Sequence, residues 1–142
     1  MIRFFVFALM LLLVSACSVI GGESSASQGA KSATVTGTVA YRERIALTPE
    51  AVVEVQLLDV SLADASAKQI AIQTIKPKHQ VPIPFELIYD PADIDERMTY
   101  AVRATIYEGE RLLFTTNRHY PVLTRGHAHH VELVLVRNSG DG

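Results

Sequence analysis

The chain reads as an all-β protein, an antiparallel β-sandwich or small barrel of about seven strands behind a secretory leader and a flexible linker. Three observations predict this. Apolar residues recur at every second position in short runs. Proline, glycine and aspartate punctuate those runs at short intervals. No stretch beyond residue 32 carries the 3.6-residue period of an amphipathic helix.

The leader comes first, over residues 1–16. Arg3 and the α-amino group make a positive start. The apolar run Phe4 to Val14 is shorter than the roughly 20 residues a membrane-spanning helix needs. Leu13-Val14-Ser15-Ala16 then precedes Cys17, the one cysteine of the chain. An aliphatic residue, small residues and then cysteine is the pattern at which a bacterial lipoprotein is cut and acylated. Sulfur takes the S-diacylglycerol, and the freed α-amine takes a third, N-linked acyl chain such as palmitate. Each buried methylene contributes about 0.8 kcal/mol, so two or three chains anchor firmly where one does not. The lipid would hold the protein at a membrane. Ser18 lacks the aspartate that favours inner-membrane retention, so the expected address is the outer membrane, on its periplasmic face.

Residues 17–32, rich in Gly, Ser and Ala, form a linker that would span roughly 20 Å. One domain follows over 33–138, and 139–142 read as a disordered tail. In the domain, Val35, Gly37, Val39 and Tyr41 share a parity; so do Val53, Val55 and Leu57, and Ile70 and Ile72. Ile83, Phe85, Leu87 and Tyr89 make the next run, then Tyr100, Val102, Ala104 and Ile106, with Val131, Leu133 and Leu135 closing the series. Turns are expected at Thr48-Pro49-Glu50, across Asp59 to Ala67, and at Asp90-Pro91-Ala92-Asp93 with one helical turn. Glu108-Gly109-Glu110 predicts a tight hairpin joining Met98–Tyr107 to Arg111–Thr116. Pro82 and Pro84 place the next-to-Phe85 strand at an edge, because proline cannot donate to a central ladder.

Charge narrows the function. Loss of Arg3 with the leader leaves 12 basic against 15 acidic residues, a net charge of −3. That argues against nucleic acid as a partner. With Cys17 acylated, no thiol remains for redox chemistry. There is no G-x-S-x-G elbow and no phosphate-cradling glycine loop, so the domain reads as non-enzymatic, without cofactor. His119, His127, His129 and His130 cluster late in the chain, and His127 and His129 would share a face if their strand starts early. They follow the turn Thr124-Arg125-Gly126 and lack a nearby carboxylate, so a solvated loop is the expected setting. Asp90, Asp93, Asp95 and Glu96 do not fit a calcium loop, because Pro91 and Ile94 interrupt them; turn caps are expected. Arg42, Glu43 and Arg44 read as an ion-paired rim worth under about 1 kcal/mol or, if the first strand continued, Arg42 and Arg44 would project to one face as a recognition pair for a carboxylate or sugar acid. Possible partner surfaces are therefore Arg42 and Arg44, the edge at Pro82, Pro84 and Phe85, and the hairpin Met98–Thr116.

Several runs come in a familiar order: Val35-Thr36-Gly37-Thr38-Val39, Tyr41 to Leu47, Val55 to Ser61, Gln80 to Phe85 and Tyr100 to Ala104. Over roughly Thr34 to Leu135 the chain resembles the YbaY family of lipoproteins, and is similar to the YscW-type lipoprotein chaperones (pilotins) of type III secretion. The resemblance implies a β-sandwich envelope lipoprotein and, for the pilotin branch, a secretin subunit as client; no catalytic residues carry over. The expected function is a binding or chaperone-like module tethered to the outer membrane. The alternatives are a structural or stress-related lipoprotein without a client, and a binder of small ligands or glycans.

Overall fold

In a computed structural model the described residues are 31–140. The leader, Cys17 and most of the linker lie outside them. Eight strands form: β1 (Ala33–Tyr41), β2 (Ala51–Asp59), β3 (Lys68–Ile75), β4 (Ile83–Tyr89), β5 (Tyr100–Glu108), β6 (Arg111–Thr115), β7 (Pro121–Val122) and β8 (His130–Arg137). A single 3-10 turn, Pro91–Asp93, is capped by Asp90, whose carboxylate accepts from Ala92 N at 2.8 Å.

The strands run side by side in the order β3-β2-β5-β6-β8-β1-β4, with β7 on β5. All pairings are antiparallel except β1 with β8. The two ends of the path, β3 and β4, meet across a seam, so the sheet nearly closes into a barrel. There the Glu86 N–H donates to the Gln73 side-chain oxygen at 2.8 Å, a side chain standing where a strand partner would. Pro84 lies two residues from Glu86 on the same edge and brings no N–H to it.

Alternation fills the interior. Val35, Val39, Val53, Val55, Leu57, Leu87, Tyr100, Ile106, Leu133 and Leu135 are all at most 1% exposed. Gly37 shares their parity for a steric reason. It pairs with Phe85, and a Cβ on Gly37 would stand 1.8 Å from the Val131 carbonyl oxygen and 2.8 Å from the Phe85 ring. The Tyr41 and Phe114 rings stack with centroids 4.1 Å apart, linking β1 to β6 across the core.

Strand β3 departs from expectation. A bulge opposite Leu57/Leu58 leaves Ile70 without a facing partner. Gln73 and Ile75 then pair with the buried Val55 and Val53, and Ile72 turns outward at 46% exposure. The inward parity is thus Ala71, Gln73 and Ile75 rather than Ile70 and Ile72.

Candidate functional site

The least regular part of the barrel lies between β6 and β8. Their ladder holds only two pairs, Phe114↔Arg137 and Thr115↔Val136. Beyond Thr115 the chain leaves β8, bows outward through Asn117–His119, and rejoins β5 as β7, where Pro121 and Val122 pair with Ala101 and Tyr100. Nothing in the alternation pattern announces this, because β7 is two residues long.

Tyr120 spans the resulting gap. Its hydroxyl accepts from Val134 N at 2.9 Å and donates to Val134 O at 3.0 Å. It also accepts from Arg118 Nε at 2.9 Å, and the Arg118 guanidinium stands 5.0 Å from the ring centroid. A single phenol therefore replaces one step of a strand ladder on the free edge of β8. Two residues earlier, Glu132 faces the same edge, and no strand among the described residues pairs with β8 there.

Clefts open on both sides of the Asn117–His119 bow. One, of about 350 Å³, is lined by Arg42, Glu43, Asn117, Arg118 and Val134–Val136. The other, of about 300 Å³, runs over Leu58, Ala101 and Arg103. In the first, one Glu43 carboxylate oxygen is shut from solvent and has no hydrogen-bond partner. Burial, and then the Glu43 charge, pushes the neighbouring Tyr41 phenol above its ordinary value. Tyr41 itself donates to the Ile45 carbonyl at 2.6 Å, fixing the turn that carries Arg42 to Arg44. The cleft thus combines free strand edge, apolar floor and charged rim.

The expected surface residues are placed as follows. Strand β1 ends at Tyr41 and the chain bends at Glu43 and Arg44, so Arg42 and Arg44 do not alternate on a strand face. Both are exposed, and only Arg42 lines the cleft. Pro82 and Pro84 are exposed at the β4 edge. Phe85 is corrected: at 4% exposure, packed where Gly37 leaves room, it is a core residue and offers no surface. The hairpin forms, with Gly109 at φ +60° in its turn, though β5 begins at Tyr100 rather than Met98.

The histidines do not converge. Strand β8 begins only at His130, so His127 and His129 share no strand face. His130 Nδ1 hydrogen-bonds Thr36 Oγ1 at 3.1 Å. Among the described residues no three His, Cys, Asp or Glu side chains are placed to hold an ion. Asp95 pairs with Arg97 at 2.6 Å, and that guanidinium with the Arg97 N–H holds the Asp95 carboxyl down at about 2. Among the described residues, no helix is long and apolar enough to cross a membrane.

The described residues thus form a nearly closed β-barrel with an unfilled strand edge beside Tyr120. The family of type III secretion system lipoprotein chaperones (YscW) matches residues 30–135, and the chain belongs to that family. Its class is that of chaperone-like envelope lipoproteins. The chain is 38% identical over 93 residues to the uncharacterized lipoprotein YbaY of Escherichia coli (strain K12). That match covers 65% of this chain and 49% of YbaY, so the chain spans about half the length of that relative. It is also similar to a solved structure, an alternative pilotin from the type II secretion system of Vibrio cholerae. There the identity is 45% and the TM-score 0.74, over 78% of this chain and 100% of that one.

Proposed function

We propose that this protein is acylated at Cys17, held on the periplasmic face of the outer membrane, and binds an extended segment of an envelope or secretion protein, of secretin type, in the cleft beside β8. One observation carries the site: the β8 edge is completed at Val134 by the Tyr120 hydroxyl instead of by a strand. An incoming segment that displaces the phenol gains main-chain hydrogen bonds to Val134 and Glu132, the chemistry of strand addition. Arg42 and Arg118 on the rim suit an acidic residue of the client, while the partnerless Glu43 oxygen suits a donor. Membership of a chaperone family and likeness to a pilotin support a protein client over a metabolite.

The test is photocrosslinking in cells from a reactive side chain at Asn117, with Pro84 at the opposite seam as the comparison, followed by mass spectrometry. One stoichiometric protein recovered from Asn117 and not from Pro84 is expected. Recovery of none, or the same proteins from both, contradicts the reading. A Cys17→Ser variant tests the anchor on its own: it should leave the membrane in an alkaline wash that the acylated chain survives.

A further inference from the structure

Five large apolar side chains among the described residues are well exposed, and three of them share one end of the barrel: Leu62, the most exposed at 72%, and Met98 at 36% on its loops, with Ile88 at 63% one residue before the end of β4. Strand directions fix which end. Ala33, where β1 begins, pairs with Tyr89. Asp59 pairs with both Lys68 and Tyr100. The end at which the chain enters the barrel therefore also carries the β2–β3 and β4–β5 connections, on which Leu62 and Met98 stand.

Side-chain hydrogen bonds tie these connections together. Thr99 N donates to Ser61 Oγ at 2.8 Å, and Val60 N to Thr99 O at 2.9 Å. Thr124 Oγ1, buried at 6% exposure, donates to Met98 O at 2.7 Å. Thr124 is aimed there by a tight turn in which Thr124 N donates to Val122 O at 2.9 Å and Leu123 takes φ +71°. Left-handed backbone at a leucine is strained and persists only where its surroundings hold it. The apolar pair thus rides on a braced platform and not on a loose loop.

We infer that this end rests on the bilayer surface, with Leu62 and Met98 inserted at the headgroup–acyl boundary. The inference rests on the proposed anchor at Cys17: a flexible chain of roughly 15 residues between Cys17 and Ala33 would have a root-mean-square span of about 20 Å, which favours this end over the opposite one. The β2–β3 and β4–β5 connections carry Asp64, Asp90, Asp93, Asp95 and Glu96 against Arg97 alone, so contact is by apolar insertion and not by attraction to anionic headgroups.

The chain has no tryptophan, which allows a clean probe. Acylated Leu62→Trp protein would be reconstituted in phosphatidylethanolamine vesicles containing brominated phosphatidylcholine. Ile45→Trp, 45% exposed at the opposite end, serves as the control. Fluorescence at position 62 should be quenched at least about twofold more than at position 45, unchanged by added salt. A Met98→Trp probe should lose its quenching when Leu62→Asp is added. Equal quenching at 62 and 45 in protein that floats with the vesicles overturns the inference alone. Protein that does not float overturns the anchor, and this inference with it.

Discussion

Of the glycines among the described residues, Gly37 leaves the least room for a side chain. It has an extended backbone, so the constraint is steric: backbone on β8 and the Phe85 ring on β4 occupy the space of a methyl group. Gly37→Ala should cost about 3 kcal/mol or more in urea unfolding, at the upper end of overpacking effects. Gly109 is the contrast. Its φ is +60° with open space around it, so Gly109→Ala should cost only about 1 kcal/mol, through conformation alone. Asp95 makes a prediction of a different kind. Its carboxyl sits at about 2, below the ordinary 3.8, so the Arg97 pair stabilises the fold above pH 4 and that contribution disappears as pH falls toward 2. Both groups face solvent, so the contribution is small and screened by salt. An NMR titration should give a midpoint near 2 for Asp95, rising in Arg97→Ala but staying below the ordinary carboxylate range, because the residue-97 N–H still donates to it.

Strands were readable wherever packing followed parity. Val35 to Tyr41, Ile83 to Tyr89 and Tyr100 to Ile106 each bury the face their alternation predicts. Parity failed at β3 because a bulge inserts one residue, and no residue type marks a bulge there. The parallel pairing of β1 with β8 was not legible either, since it joins the two ends of the chain and no local turn encodes it. Of the site, Arg42 was read from the sequence. Tyr120, Arg118 and Val134 were not, because a tyrosine before a proline carries no sign that its hydroxyl will serve a strand edge fourteen residues away. Among these, Tyr120 has the most testable role. Tyr120→Phe removes the hydroxyl that bonds the Val134 N–H and C=O on this edge, and should destabilise by about 1–3 kcal/mol. The Val134 amide should exchange faster in that variant while Leu133, directed at β1, stays protected.

The folded domain is a barrel with a β3–β4 seam, an unfinished β8 edge and an end that exposes Leu62 and Met98. The edge suits a protein segment, and the end is the one proposed to rest on the lipid. Both features follow from the way the chain closes. β6 cannot follow β8 for more than two pairs, and the loops at the entry end are locked by Ser61, Thr99 and Thr124. The client claim is tested most directly by amide hydrogen exchange along β8, in the acylated protein alone and then with the protein recovered by crosslinking from Asn117. If a client strand adds to β8, exchange at Glu132 and Val134 slows by about tenfold or more. Unchanged exchange at Glu132 and Val134, with new protection instead at Glu86 on the β3–β4 seam, would contradict it.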